Sequence, residues 1–259
     1  MVLEATGGYE QAVLDALHTA GLPMVRINPR QARDFAKGTG QLAKTDRLDA
    51  RVLAKMAATV EAPLYTPRAS WRLQLAQWQQ RRGHLVQILQ AERQRGRRIE
   101  DAALRRAARR IIGFLERELR ALDAGIAAQL AARPELAPLR SIRGAGPVLQ
   151  ATLACELPEL GQLGGKAIAK LVGVAPLACD SGQWRGRRMI WGGRATVRSS
   201  LYMSALTAMR FEPGLRDVYQ RLRARGKPAK VAIVAIMRKM LVILNARMRD
   251  AMAEPKADS

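Results

Sequence analysis

The sequence predicts an α/β head, a middle of coiled-coil helices and a mostly α-helical C-terminal domain. Three observations carry that expectation. The N-terminal end alternates short strand-like apolar runs with helix-spaced segments, residues 70–133 contain almost no helix breakers, and the remainder is helix-spaced but punctuated by Gly and Pro. Aromatic residues are only 4% of the chain, which argues against an architecture built mainly of β-sheet.

In the head, Val2-Leu3 ends a short apolar run at Glu4, and Thr6-Gly7-Gly8 turns the chain. From Tyr9 to Ala20, Val13, Leu14 and Leu17 recur at helical spacing, and Gly21 closes the helix. Met24 to Ile27 reads as a strand stopped by Asn28-Pro29. A second helix should run from about Thr45 to Thr59, burying Leu48, Val52, Leu53 and Met56.

The middle places Leu73, Leu75, Trp78, Leu85, Ile88 and Leu89 among Gln and Arg. After Arg95-Gly96 the pattern resumes through Leu104, Ile111, Leu115, Leu119, Leu122 and Ile126. Two long amphipathic helices follow, as an antiparallel or intermolecular coiled coil. Beyond Pro134 and Pro138, residues 167–172, 197–209 and 231–248 are helix candidates. The expected boundaries are therefore 1–67, 68–135 and 136–259.

The 259 residues are enough for two modest domains, and 48% hydrophobic content allows a real core. Forty-four Lys and Arg against 22 Asp and Glu give a net charge of +22, so a polyanion is the expected partner. That charge is uneven: residues 1–67 carry +1, 68–143 carry +10 and 181–249 carry +14. A membrane is a poor candidate, because the apolar run from Val231 to Met237 ends at Arg238-Lys239. No secretory signal is visible at the N-terminus. Cys155 and Cys179 form no metal-binding pair, and His18 and His84 stand alone, as expected of reduced thiols in a cytoplasmic, nucleoid-associated protein.

Two nucleotide motifs fail on inspection. Gly164-Gly165-Lys166 lacks the first Gly and the Ser or Thr of a P-loop, and Gly144-Ala145-Gly146 lacks the third Gly of a dinucleotide fingerprint. The run from Ile142 to Pro147 does resemble the turn of a helix-hairpin-helix element, where Gly144 and Gly146 let backbone amides face a phosphate beside Arg143. An ordinary interhelical turn fits the same spacing. Asp46 and Asp49 lie three apart at a helix start, hence on one face, where they could simply complement the helix dipole. Glu4 at a strand end adds a third carboxylate, and converging hard oxygens suit Mg²⁺ and phosphoryl transfer.

Several runs together resemble one family. They are Glu-Ala-Thr-Gly-Gly-Tyr at 4–9, Asn-Pro-Arg-Gln-Ala-Arg at 28–33 and Lys-Thr-Asp-Arg-Leu-Asp-Ala at 44–50. Further on come Ser-Ile-Arg-Gly-Ala-Gly-Pro at 141–147, Leu-Val-Gly-Val-Ala-Pro at 171–176, Asp-Ser-Gly at 180–182 and Gly-Arg-Ala-Thr-Val-Arg at 193–198. In this order they are similar to the DEDD-class insertion-sequence transposases of the IS-one-ten family, the bridge-RNA-guided recombinases.

The resemblance implies a partial RNase H/RuvC-like head, a coiled-coil middle and a helical transposase domain with a serine nucleophile. Glu4, Asp46 and Asp49 match three of the family's four metal-binding acids, and Ser181 matches its serine. The first Asp of the set has no counterpart, so the resemblance implies an N-terminally truncated copy lacking the opening strands. Asp180-Ser181-Gly182 by itself would read as a turn. Downstream, Arg185, Arg187, Arg188, Arg194 and Arg198 are dense enough to clamp a phosphodiester.

The expected function is a transposase or recombinase that cuts and rejoins DNA, with Mg²⁺, a guide (bridge) RNA and a dimer or tetramer built through the coiled coil. Two alternatives remain: a catalytically incomplete nucleic-acid-binding remnant, and a junction nuclease working without Ser181.

Overall fold

Val2–Glu4 (β1) and Val25–Ile27 (β2) pair in parallel, with Val2 opposite Val25 and Glu4 opposite Ile27. A parallel pair needs a crossover, and Gln11–Thr19 (α1) supplies it, burying Leu14. These and the elements below come from a computed structural model. It describes residues 1–253 except Thr6, Leu42, Lys44, Cys179, Gly182, Gln183 and Arg187, with backbone alone for Asp180, Ser181, Trp184 and Arg185.

The chain divides into two units, Met1–Ala69 and Ser70–Ser259. In the first, Asn28-Pro29 does stop β2, but it also starts a helix that the periodicity did not predict, Pro29–Gly38 (α2). The Asn28 side chain accepts the Arg30 N–H at 2.8 Å, and the Asn28 N–H donates to Gln31 Oε1. This is a capping box with Pro at the first helical position. Asp46–Thr59 (α3) falls where expected, its start capped by Thr45 Oγ1, which accepts the Leu48 N–H. Ile27, Ala32 and Met56 form the core here, flanked by Phe35 and Leu53. Residues 60–69 strap across: the Tyr65 N–H donates to Met24 O at 2.6 Å, and its hydroxyl bonds Asp15 and Gln11. Burial pushes the Tyr65 phenol above its ordinary pKa, and the bond to Asp15 adds to the rise while that to Gln11 opposes it. Among the described residues, two strands and three helices are α/β in kind, but too little sheet to establish an RNase H-like fold.

The second unit begins with Ser70–Gly96 (α4) and Ala102–Ala131 (α5). Leu85 and Leu89 meet Leu115 and Leu119. Arg82 pairs with Asp123 at 2.5 Å, and Arg93 with Glu116 at 2.6 Å, so rising numbers on one helix meet falling numbers on the other. The two long helices are thus an antiparallel hairpin within one chain. Gly125 is required in it, because a Cβ there would collide with the Trp78 ring. Asp101 caps α5, accepting the N–H groups of Ala103 and Leu104 at 2.8 Å each.

A 3₁₀ segment, Pro134–Arg140, leads through a short turn into Pro147–Glu156 (α6), whose residues 149–155 are all buried. Gly165–Val172 (α7) precedes a small hairpin of Asp180–Ser181 (β3) and Trp184–Arg185 (β4). Ala195–Phe211 (α8), Pro213–Ala224 (α9) and Ala229–Ala253 (α10) complete the unit. One core cluster runs through Leu75, Ile126, Leu149, Ile168, Leu201, Ile236 and Leu244, so the base of the α4–α5 hairpin packs into the same core as α6, α8 and α10. Buried Asn245 pins the segment before α7: its Oδ1 accepts the Gly161 N–H at 2.9 Å, and its Nδ2 donates to Leu163 O at 2.8 Å. Among the described residues no helix is long and apolar enough to cross a membrane.

Candidate functional site

In the first unit, β1 delivers Glu4 at its C-terminal end and α3 delivers Asp49 from its first turn. Both line one cavity of about 320 Å³, together with Arg30 and Arg33 from α2 and apolar Ala32, Ala36, Val52 and Leu53. Asp46, one helical turn before Asp49, is exposed and does not line it. Its position in the first turn of α3 complements the helix dipole. Of the three carboxylates expected to converge, Glu4 and Asp49 share this cavity. Among the described residues, no three His, Cys, Asp or Glu side chains are grouped to hold a metal ion.

Two carboxylates in a cavity still form a donor set of the right kind for Mg²⁺, which is often held by one or two carboxylates and completed by water and substrate phosphate. Glu4 and Asp49 fit that role. Arg30 and Arg33 were not foreseen as neighbours of these acids. Their spacing of three along an Asn-Pro-started helix was the available signal. Next to the site, buried Glu10 accepts the Gly8 N–H at 2.9 Å and lies 3.6 Å from Arg26, which fixes the Gly7-Gly8 turn that follows β1.

In the second unit, Ser181 pairs with Trp184 across the β3–β4 hairpin, and Leu177 and Met189 bridge further down. The Ser181 and Arg185 side chains and the whole of Arg187, where the nucleophile and part of its cleft are expected, lie outside the described residues. Arg188 is exposed.

Two of the five arginines expected to clamp a phosphodiester make hydrogen bonds within the chain. Arg194 makes a two-pronged bond to Glu159, at 2.6 and 2.5 Å, and donates to Glu156 O at 2.6 Å. Arg198 donates to Gly192 O at 2.5 Å and to Val172 O. Arg194 spends both terminal nitrogens on these acceptors, whereas Arg198 is engaged through Nη1 alone, and basic density in a sequence does not reveal such bonds.

At the hairpin before α6, Arg143 is exposed, and the Ala145 N–H donates to Ile142 O at 3.0 Å. Gly144 has a φ of 104°, and a Cβ on it would stand 2.6 Å from the Ala208 N. The close approach of α8 by itself requires a glycine here. Gly146 caps α6 in an extended conformation with open space around it, so close approach of a ligand remains open to it.

Comparison with known proteins adds independent findings. A family model described as "Transposase IS116/IS110/IS902 family" matches residues 136–220, and one for DEDD transposases of the IS110 group, described as "Transposase", matches residues 1–104. The chain is similar to a "Pilin gene-inverting protein" of Moraxella lacunata, 28% identical over 96% of this chain and 80% of the relative. The protein of the same description from Moraxella bovis is 27% identical over the same shares. An insertion element IS110 protein of Streptomyces coelicolor is 32% identical over 51% of this chain and 33% of its own length.

Proposed function

Because the chain belongs to the IS110 family of transposases, we propose that it cuts DNA strands and rejoins them in a new order, with Ser181 as nucleophile. The supporting observation is the shared cavity of Glu4 and Asp49, flanked by Arg30 and Arg33, in the part of the chain that matches the DEDD model. Two relatives bear the description of gene inverters, and inverting a gene requires cutting and rejoining strands.

In this reading the Ser181 oxygen attacks a backbone phosphorus. Its proton passes to a basic acceptor, a P–O bond breaks, and the departing DNA hydroxyl takes up a proton. The resulting phosphoserine keeps the phosphate activated, so a hydroxyl of a second strand can displace Ser181 and restore a phosphodiester. Glu4 and Asp49, with Asp46 as the third acid of the set, would hold a divalent ion, which when bound would supply Lewis-acid stabilisation of the charged phosphate. Arg143, Arg185, Arg187 and Arg188 hold DNA, and Gly146 admits a phosphate to the α6 amides. A guide RNA selects the sites, and a dimer or tetramer built through the α4–α5 hairpin brings the serine of one subunit to the carboxylates of another.

The experiment uses this chain, its element-encoded RNA and a suicide DNA substrate. A covalent protein–DNA adduct should survive denaturing gels, and Ser181→Ala should abolish it while leaving DNA affinity within about twofold, since phosphate contacts dominate that affinity. Glu4→Gln or Asp49→Asn should slow adduct formation on the order of 100-fold or more. Equal adduct from Ser181→Ala would remove the serine from the mechanism. A second reading, a nucleic-acid binder without strand chemistry, is favoured by the exposed position of Asp46. It requires wild-type binding with neither adduct nor recombinant product.

A further inference from the structure

A second cavity, of about 210 Å³, lies where α9 crosses α10 beside the turn that opens the helix-hairpin-helix-like element. Its walls include Ser141, Glu212, Gly214, Lys239, Ile243 and Arg247. We infer that this cavity is a binding site for the phosphodiester backbone of a nucleic-acid strand, separate from the residues assigned to strand chemistry; the inference rests on the function proposed above.

The residues argue for it in three ways. Lys239, Ile243 and Arg247 are spaced by four on α10 and so form one stripe. The Arg247 Nη1 donates to Ser141 O at 2.8 Å, which holds the guanidinium at the wall with its remaining N–H groups available. Lys239 and Arg247 against Glu212 leave the walls with one net positive charge.

The second argument is the start of α9. Glu212 supplies no side-chain cap, and Pro213 has no N–H. The N–H groups of Leu215 and Arg216 turn back to Glu212 O at 3.1 and 3.0 Å. Gly214 is left as the amide donor of that first turn, on the cavity wall. A Cβ at Gly214 would meet no atom within 4 Å, so neither packing nor backbone demands a glycine there. Close approach of a ligand to the backbone is the remaining use of its missing side chain.

Third, the spacing selects a strand over a single ion. Eight residues separate the two cations, about 12 Å along the helix axis, more than one phosphate spans. Ile243 between them offers an apolar surface to a sugar.

The test measures the Kd of this chain for duplex DNA and for single-stranded RNA of equal length, across a salt series. The double variant Lys239→Gln/Arg247→Gln should bind about tenfold more weakly near 0.15 M salt. Its slope of log affinity against log salt should fall by about 1.8 if the strand is duplex DNA, or about 1.4 if single-stranded RNA.

Glu212→Gln should bind severalfold more tightly, because it removes the one anionic wall. Gly214→Ala should bind more weakly with a melting temperature at or above that of the wild type, since alanine is the better helix former, which separates ligand approach from folding. Wild-type slopes in the double variant, with tight wild-type binding, would overturn this site and leave the transposase reading intact. Wild-type protein that binds neither polymer would overturn both. Inorganic phosphate that raises the melting temperature of the wild type but not of the double variant, with equal polymer slopes, would make this an ion site and overturn the strand.

Discussion

The two units carry charge on very different scaffolds. Met1–Ala69 is nearly neutral, and its core cluster is the small set of Ile27, Ala32 and Met56. Ser70–Ser259 holds most of the positive charge, over a continuous core from Leu75 to Met248. The difference follows from what each charge must do. Carboxylates brought into one cavity repel each other, so the small unit fixes Glu4 and Asp49 with caps and turns: Asn28 before α2, Thr45 before α3, and Glu10 at the Gly7-Gly8 turn. Under the proposed function, arginines that touch an extended polymer would need no convergence, and exposed faces of a large core suffice to carry them.

The largest expected effect tests the thick core. Ile236→Ala, at a fully buried position on α10, should cost about 2–5 kcal/mol in denaturant unfolding. Amide exchange should speed up in the second unit while the first keeps its wild-type protection. Equal loosening of both units would break the comparison, because it would mean one cooperative core.

A smaller change tests the cap-held unit. Asn28→Ala removes the capping box of α2 and should cost about 1 kcal/mol. The small core of this unit has little to offset the loss, so amides of α2 should exchange first, and divalent-metal affinity should fall as the cavity wall loosens. Metal binding unchanged beside a frayed α2 would detach the wall from the site.

The smallest effect is alkaline. The Tyr65 phenol is raised in the folded chain, so folding favours its neutral form. That contribution is fully present below the ordinary phenol pKa of 10.0 and is lost as the pH rises through the folded value. Wild type should therefore lose more first-unit stability above pH 10 than Tyr65→Phe, as followed by circular dichroism. Parallel losses would show that the strap over Met24 works through its backbone bond alone.

Much of this was legible in the sequence. Glu4 at a strand end and Asp49 at a helix start came from turn and cap signals alone, as did the breaker-free stretch that became α4 and α5. What was missed has physical reasons. α6 buries nearly every side chain and so carries no one-sided periodicity to detect. α2 and α9 both begin at a proline, which reads equally as a stop or as a first helical residue. Arg30 and Arg33 meet the carboxylates only through the way α2 follows β2. Arg194 and Arg198 bind internal acceptors supplied from residues 156–159 and from the chain near Gly173, which no local spacing encodes.

The close approach of the chain near Gly173 to that near Gly193 has a consequence for evolution of the segment between them. A Cβ on Gly193 would strike the Gly173 backbone, one on Gly173 would strike the Gly192 carbonyl, and Arg198 ties the end of α7 to Gly192. The two mouths of the Ser181-bearing excursion are thus sewn together at the core surface, independently of what lies between them. Such an excursion is a cassette: doubling its length costs only about 0.6 kcal/mol of closure entropy, so the sequence between the two glycines can change while the helices beneath keep their packing. Relatives should therefore vary more in length between these two glycines than across α6 or α10, and an alignment with gaps concentrated in the helices instead would refute the cassette.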